Sequence, residues 1–450
     1  MLSFVCLAVL LGLGYWLRRK LVFMQRLYLP ASVIAGLLGL ILIQGFKAAE
    51  GPLPAEWTTG WVKLPGILIN VVFACLFLGV NIPGVSKVWK SASRQLAYGQ
   101  IVAWGQYVVG IGLVLFLLGP VFHLNPLFGA VLPVGFEGGH GTAGGLGPVF
   151  DELGWPAGRD FALASATGGI ISAIIVGMGL VNWAVRKGYV LEKRPPHENI
   201  EEEDWTGSIP KGARPKAGHL TVSSDVIESL SLHLVFVAAA ILIGIGFKEL
   251  LVLLEGIVPV LAKHNLLSSF PLFPLCMLGG LFVQLFGDRF DPNDHIDHGL
   301  TRRIQNTALD FLVVAAIATI RLDVVAAGWL PLVILIAVGI LWNVFCVLVI
   351  ARRVFQNAWF ERSIAEMGQS MGVTATGLLL LRVVDPDYKT PAAEAFACKQ
   401  LLHEPFMGGG LWTGMAIPLI AAYGALPIFG IACAAVLIWA VLLAIMACRA

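Results

Sequence analysis

The stretch from Gly135 to Gly147, GFEGGHGTAGGLG, sets seven glycines beside Glu137, His140 and Thr142 inside an apolar region. Uncharged runs flank it, from Gln95 to Phe136 before it and from Phe161 to Val185 after it, each long enough to cross a bilayer. A segment this rich in glycine and polar groups makes a poor membrane helix. Backbone that is not helical at membrane depth must be buried in protein or line a watery cavity, because lipid offers its N–H and C=O groups no partner. A re-entrant hairpin meets that demand. Its glycines let backbone amides approach an ion or anion, and its broken helix ends carry partial charges that hold one. The competing reading, a small-residue surface for helix packing, leaves the intramembrane Glu137 and His140 without a role.

Composition fixes the class. With 58% hydrophobic and 13% charged residues in 450 and a mean hydropathy of +0.83, the chain reads as a polytopic membrane protein. A net charge of +2 gives no sign of nucleic-acid binding. Seven cysteines without CxxC spacing read as small packing residues, neither a disulfide framework nor a zinc site. No P-loop, Rossmann fingerprint or HExxH is present, and no nucleophile stands at a usable spacing from a base, so an enzyme is not expected and no organic cofactor is implied. The basic cluster Arg18, Arg19 and Lys20 follows the first apolar run, the reverse of a signal peptide, which places the N-terminus outside.

Outward from the hairpin, hydropathy gives eleven spans, near 2–17, 28–46, 64–83, 96–119, 161–185, 229–253, 265–287, 304–322, 329–351, 405–424 and 427–448. Two broken apolar segments, about 126–147 and about 357–381, are treated as hairpins that do not cross. With that choice only Lys47, Lys63, Arg159, Lys248, Lys263 and Arg321 of the 30 basic residues fall outside, and the remaining 24, Lys399 among them, fall on the cytoplasmic side. Counting either hairpin as a span destroys the asymmetry.

The two halves also align weakly. Pro30 and Gly36 match Pro274 and Gly280, Asn70 falls on Asp310, GHGTAGG (139–145) lies over MGVTATG (371–377), and Phe161-Ala162 falls on Phe396-Ala397. Five crossings in the first unit make the second enter from the opposite face. The expected architecture is therefore an all-α polytopic protein: an inverted repeat of two five-helix units, each with a re-entrant hairpin, plus one extra C-terminal helix. Its parts are a first repeat over 1–186, a cytoplasmic linker over 187–222 with the acidic block Glu201 to Asp204, a second repeat over 223–424, and the extra helix over 425–450.

GGHGTA at 138–143 and MGVTAT at 371–376 resemble the two hairpin motifs of the sodium/glutamate symporter family, and LPASVIAG near the second span is also similar. The resemblance runs from about residue 20 to about residue 424. It implies a homodimer in a bacterial cytoplasmic membrane, each protomer a scaffold and a mobile domain carrying both hairpin tips, with Na⁺ coupled to an amino-acid or carboxylate substrate. The chain departs from the pattern at Glu137 and Glu366, where acidic residues are not expected, and at the apolar GLLLLR after Thr376.

Two tips supply two kinds of ligand. Amides at a half-helix N-terminus favour a carboxylate, and freed carbonyls and hydroxyls favour Na⁺. The candidate binding surface is Gly138, Gly139, His140, Gly141, Thr142 and Ala143, with Gly372, Val373, Thr374, Ala375 and Thr376. The threonines have the alternative of bonding back to their own helices. Glu137, Asn70 and Asp310 are candidates for the coupling ion or a proton. Glu137 has capping as its alternative, Asn70 helix-to-helix bonding, and Asp310 an interfacial ion pair near Arg302 and Arg303. His140 has titration or a fixed hydrogen bond open to it, and Arg382 either a substrate carboxylate or snorkelling. The function expected is Na⁺-coupled symport of a small organic anion or amino acid by alternating access. A proton-coupled carrier or cation/proton exchanger, and then an ion channel, are the alternatives.

Overall fold

A computed structural model describes residues 2–26, 29–49, 55–80, 85–191, 209, 211–212, 214–257, 267–386 and 389–448. Every regular element among them is helical. The first half contains α1 (Leu2–Lys20), α2 (Ala31–Ala48), α3 (Ala55–Ala74) and α4 (Val85–Leu113), the last running on through a π-turn at Val114–Leu118. Three short helices follow, α5 (Val131–Phe136), α6 (Gly139–Gly145) and α7 (Gly147–Glu152), and then the long α8 (Ala157–Lys187). The second half contains α9 (Ser229–Ile257), α10 (Leu272–Phe290), α11 (His298–Ala318), α12 (Trp329–Phe345), α13 (Trp359–Met371) and α14 (Thr374–Val384). It ends with α15 (Ala392–His403), α16 (Leu411–Tyr423) and α17 (Ala425–Cys448).

Eight of these helices are long and apolar enough to cross a membrane, and the chain is an integral membrane protein. The other three counted spans are also helices. α3 carries Pro65 within it, α11 opens on a polar turn, and α16 has only 13 residues.

Local chemistry sets the helix limits. α8 starts after Pro156 with Asp160 in its first turn, and it stops at Gly188, whose φ of 70° is the left-handed cap that glycine supplies without strain. Arg186 and Lys187 sit on its C-terminal dipole. α11 starts at Asp297, whose side chain accepts from the Leu300 amide at 2.9 Å.

The helices pack as two groups. α1, α2, α3, α9, α10 and α11 form one, through the contacts α1–α2, α9–α10, α2–α11, α3–α10 and α3–α11. α4 to α8 and α12 to α17 form the other, through α4–α17, α4–α15, α5–α8, α8–α13 and α13–α14. α6 lies at the boundary and packs on both α3 and α11.

Two expectations change. The tenth span does not start at 405: helix begins at Ala392, breaks over 404–410 and resumes at Leu411. Lys399, assigned to a cytoplasmic loop, is fully buried in the second group. Hydropathy missed both because KQLLHE (399–404) reads as polar loop when its partners, supplied by α4, α13, α14 and the residue after α5, are not in view. Within the expected linker, residues 192–208, 210 and 213, including Glu201 to Asp204, lie outside the described residues. Residues 214–222 have no helix and run against the start of α11, where Gly218 meets Asp297 and Leu300.

Candidate functional site

The two glycine-broken segments meet at their tips. Gly139 opens α6 with φ of 65°, and a Cβ built there would stand 3.5 Å from the Gly372 carbonyl and 3.5 Å from Val373. At the second tip, α13 stops at Gly372 (φ −135°, ψ −109°), Val373 is extended, and α14 begins at Thr374. α8 passes close to both segments. At Gly169 it leaves no room for a Cβ between the Met371 carbonyl and Phe136, so glycine there is what allows the approach. The break before α16 closes the third side, where Gly409 (φ 90°) rests on the Thr142 hydroxyl.

A buried polar network fills the space behind the tips. The Lys399 ammonium donates to Glu366 Oε1 at 2.6 Å, Gln400 Oε1 at 2.8 Å and Gln369 Oε1 at 3.1 Å. Gln95 donates to Glu366 Oε2 at 3.0 Å. Gln369 donates to Glu137 Oε2 at 2.9 Å. Thr374 donates to Glu404 Oε2 at 2.9 Å, and the Gln400 amide donates to Thr374 at 2.7 Å and to Glu404 at 3.0 Å.

One chain of bonds fixes a tautomer. Trp104 Nε1 donates to Gln100 Oε1 at 3.0 Å, which turns the Gln100 amide nitrogen toward His403 Nδ1, 3.3 Å away. Nδ1 therefore accepts, and the ring proton sits on Nε2, 3.2 Å from Glu137 Oε2.

The charge balance is acidic. Glu137, Glu366 and Glu404 bring three carboxylates and Lys399 one ammonium. Glu366 and Lys399 are both fully buried, and that pair is closed. Glu137 is only 4% exposed, and its Oε1 has no hydrogen-bond partner. A buried carboxylate oxygen left over costs free energy unless a cation or proton completes it. The free Glu137 oxygen is a hard ligand of the kind that Na⁺ takes, while the other oxygen is already held by Gln369 and His403.

Of the residues expected from the sequence, the structure brings Gly138 to Ala143, Gly372 to Thr376 and Glu137 together. Thr142 and Ala143 are buried, Thr374 is half-buried beside Glu404, Ala375 is exposed, and Thr376 packs under Gly372. His140 Nε2 is 3.0 Å from the Thr167 hydroxyl, which itself donates to the Leu163 carbonyl. Asn70 donates to the Gly66 carbonyl of its own helix at 2.9 Å, with the Cys276 thiol 4.0 Å from its oxygen across to α10. Asp310 is exposed on α11 beside Ser32. Among the described residues, no hydrogen bond joins Asn70 or Asp310 to the tip network.

Sequence reasoning missed Gln95, Gln100, Gln369, Lys399, Gln400, His403 and Glu404. A signal was present: Lys399/His403 and Gln400/Glu404 are i,i+4 pairs, as polar residues on one buried stripe of a helix would be. Six cysteines, Cys6, Cys75, Cys276, Cys346, Cys398 and Cys433, are free thiols, and no metal-ligating cluster of His, Cys, Asp or Glu occurs among the described residues.

Comparison with known proteins gives one match. A family model described as Sodium/glutamate symporter matches residues 1–390, a span that takes in both tips and ends before α15. No curated protein and no solved structure matches the chain.

Proposed function

The chain belongs to the sodium/glutamate symporter family, and on that footing we propose that it carries a small organic anion or amino acid together with Na⁺, binding both where the two tips meet. That it is a Na⁺-coupled membrane transporter follows from the family. The substrate, the site and the cycle are the proposal.

One observation carries it: the unpartnered, buried Glu137 oxygen behind two opposed helix breaks. The start of α14 presents amide groups for a substrate carboxylate, and Thr374 and Glu404 are placed for its polar or ammonium end. Na⁺ at Glu137 offsets the surplus carboxylate charge of the network and makes the site more favourable to an anionic substrate. The chain thus ties the two ligands together through charge.

Alternating access has the second helix group moving against the first, with α6 at the boundary. The order of contacts supports the inverted repeat, since α1–α2 and α2–α11 are mirrored by α9–α10 and α10–α3. We take residues 1–186 and 223–424 as the two repeats, 187–222 as the linker and 425–450 as the added helix. The N-terminus is outside, the C-terminus inside a bacterial cytoplasmic membrane, and the unit a homodimer.

A second reading is kept because the same Glu137 oxygen is completed equally well by a proton, with His403 beside it. Uptake into liposomes separates the two. Symport with Na⁺ predicts uptake driven by an inward Na⁺ gradient and lost in Glu137→Gln. Uptake driven by a pH gradient without Na⁺, and lost in the same variant, gives proton coupling instead.

A further inference from the structure

At the end of the bundle where α2 and α11 finish and α8 starts, a cavity of about 360 Å³ is lined by Lys47, Val62, Asp151, Arg159, Thr319 and Arg321, among others. Its walls come from both helix groups, α2, α3 and the end of α11 on one side and α7 and α8 on the other. Arg321 is committed: its guanidinium holds the fully buried Asp160 at 2.7 Å and the Pro156 carbonyl at 2.9 Å.

Arg159 is not committed in the same way. It is 8% exposed, its stem packs on Gly147 at the end of the first broken segment, and its Nη2 donates to the Thr319 hydroxyl. Its Nε is buried with no hydrogen-bond partner. With Arg321 already paired to Asp160, the cavity holds Arg159 and Lys47 against the remaining carboxylate of Asp151, and a buried guanidinium N–H without an acceptor there is short of an anion. The volume suits a molecule of a few to about ten heavy atoms.

We propose that this cavity is a second anion site, distinct from the tips, in which Arg159 binds a small carboxylate. Because Arg159 bonds across the group boundary to Thr319, an anion there competes with a contact that joins the two groups. The charge asymmetry puts this end outside, where a carboxylate arrives from solution. The proposal stands apart from the tip site and needs neither Na⁺ coupling nor transport to be tested.

Val62 lines the cavity and is 40% exposed. The test uses full-length Val62→Cys protein in liposomes and measures its labelling by anionic and cationic thiosulfonate reagents above the wild-type background. Sodium acetate, sodium glutamate and sodium chloride are compared at equal ionic strength. The expected result is faster labelling by the anionic reagent and protection by acetate and glutamate but not chloride, with Arg159→Gln raising the protecting concentration by about tenfold. Arg159→Lys, which keeps the charge and guards against a folding defect, should retain the reagent preference and lose part of the protection. Stronger protection by glutamate than by acetate supports the site with the transported substrate as its occupant. Equal protection supports it as a general carboxylate site. No protection, protection by chloride alike, or protection unchanged in Arg159→Gln overturns the proposal.

Discussion

At the scale of single residues, the Lys399–Glu366 pair sets the terms of the site. Two fully buried opposite charges offset each other's desolvation only when both are present and hydrogen-bonded. Lys399→Met should therefore cost roughly 3–5 kcal/mol of stability by leaving Glu366 unpaired. Lys399→Met combined with Glu366→Gln should recover most of that loss. Thermal unfolding of the three proteins in one detergent checks it, and a double variant as unstable as the single one would remove the pair from this role. Thr374 has a different task, joining Gln400 to Glu404 at the open edge. Thr374→Val should weaken substrate binding by about tenfold with little change in unfolding temperature, as expected for one hydrogen bond to a charged group. Thr374 and Glu137 could be read from the sequence because glycines that break an apolar run beside polar side chains mark a helix break at membrane depth. Lys399, His403 and Glu404 could not, since their partners are Gln100 on α4, Glu137 just after α5, Glu366 and Gln369 on α13 and Thr374 on α14, thirty to three hundred residues away.

At the scale of elements, the halves differ where the sequence predicted likeness. Phe161-Ala162 and Phe396-Ala397 each lie in the second turn of a helix, but α8 runs 31 residues unbroken while α15 ends at His403 and helix resumes only with α16. EPFMGGG (404–410) is the cause: Pro405 removes an amide and the glycines fold the chain back so that Gly410 lies against the Pro405 carbonyl. A Cβ at Gly410 would overlap that carbonyl, so Gly410→Ala should distort the break and lower substrate affinity more than a substitution in the flanking helices. Binding measured for Gly410→Ala against Met415→Ala checks this, and equal effects would deny the break its role. At the other end of the molecule, Asp297 caps α11 and holds the 214–222 segment. Its partial burial alone would raise the carboxyl pKa, but bonds from the Leu300 amide and His219 outweigh that and hold it below the usual value. A depressed folded pKa contributes stability in full above about pH 4, lost as pH falls through the lower folded value. Trypsin cleavage after Lys216 should accordingly be faster in Asp297→Asn than in wild type at neutral pH. A rate unchanged by the substitution would show that the cap does not hold the segment.

At the scale of the whole molecule, the two helix groups touch through α6, whose Gly141 sits against Ile69 and Leu309 and whose Gly144 sits against Pro65 and Ala316. Short residues there leave a shallow surface between the two groups. Cysteines at Gly144 and Ala316, linked by oxidation, should stop transport while leaving substrate binding intact, and reductant should restore it. Transport that continues in the linked protein would exclude relative motion at this boundary. Class and the two helix breaks were legible because they depend on hydropathy and on glycine's backbone freedom, both local in sequence. The division into two groups was not, because it depends on which helix faces touch. The family match, ending at residue 390, likewise covers the tips and stops before Lys399, Gln400, His403 and Glu404.

Coupled binding at the tips is tested most directly by ligand-induced stabilisation of the purified protein, with glutamate and related mono- and dicarboxylates each tested in Na⁺ and in K⁺ at one ionic strength. A ligand at about 100 times its Kd adds roughly 2.7 kcal/mol to the folded state, well above the error of a thermal scan. Coupling through Glu137 predicts stabilisation by one substrate class only in Na⁺, absent in Glu137→Gln and reduced in Thr374→Val. Equal stabilisation in Na⁺ and K⁺, or stabilisation undiminished in both variants, would contradict it.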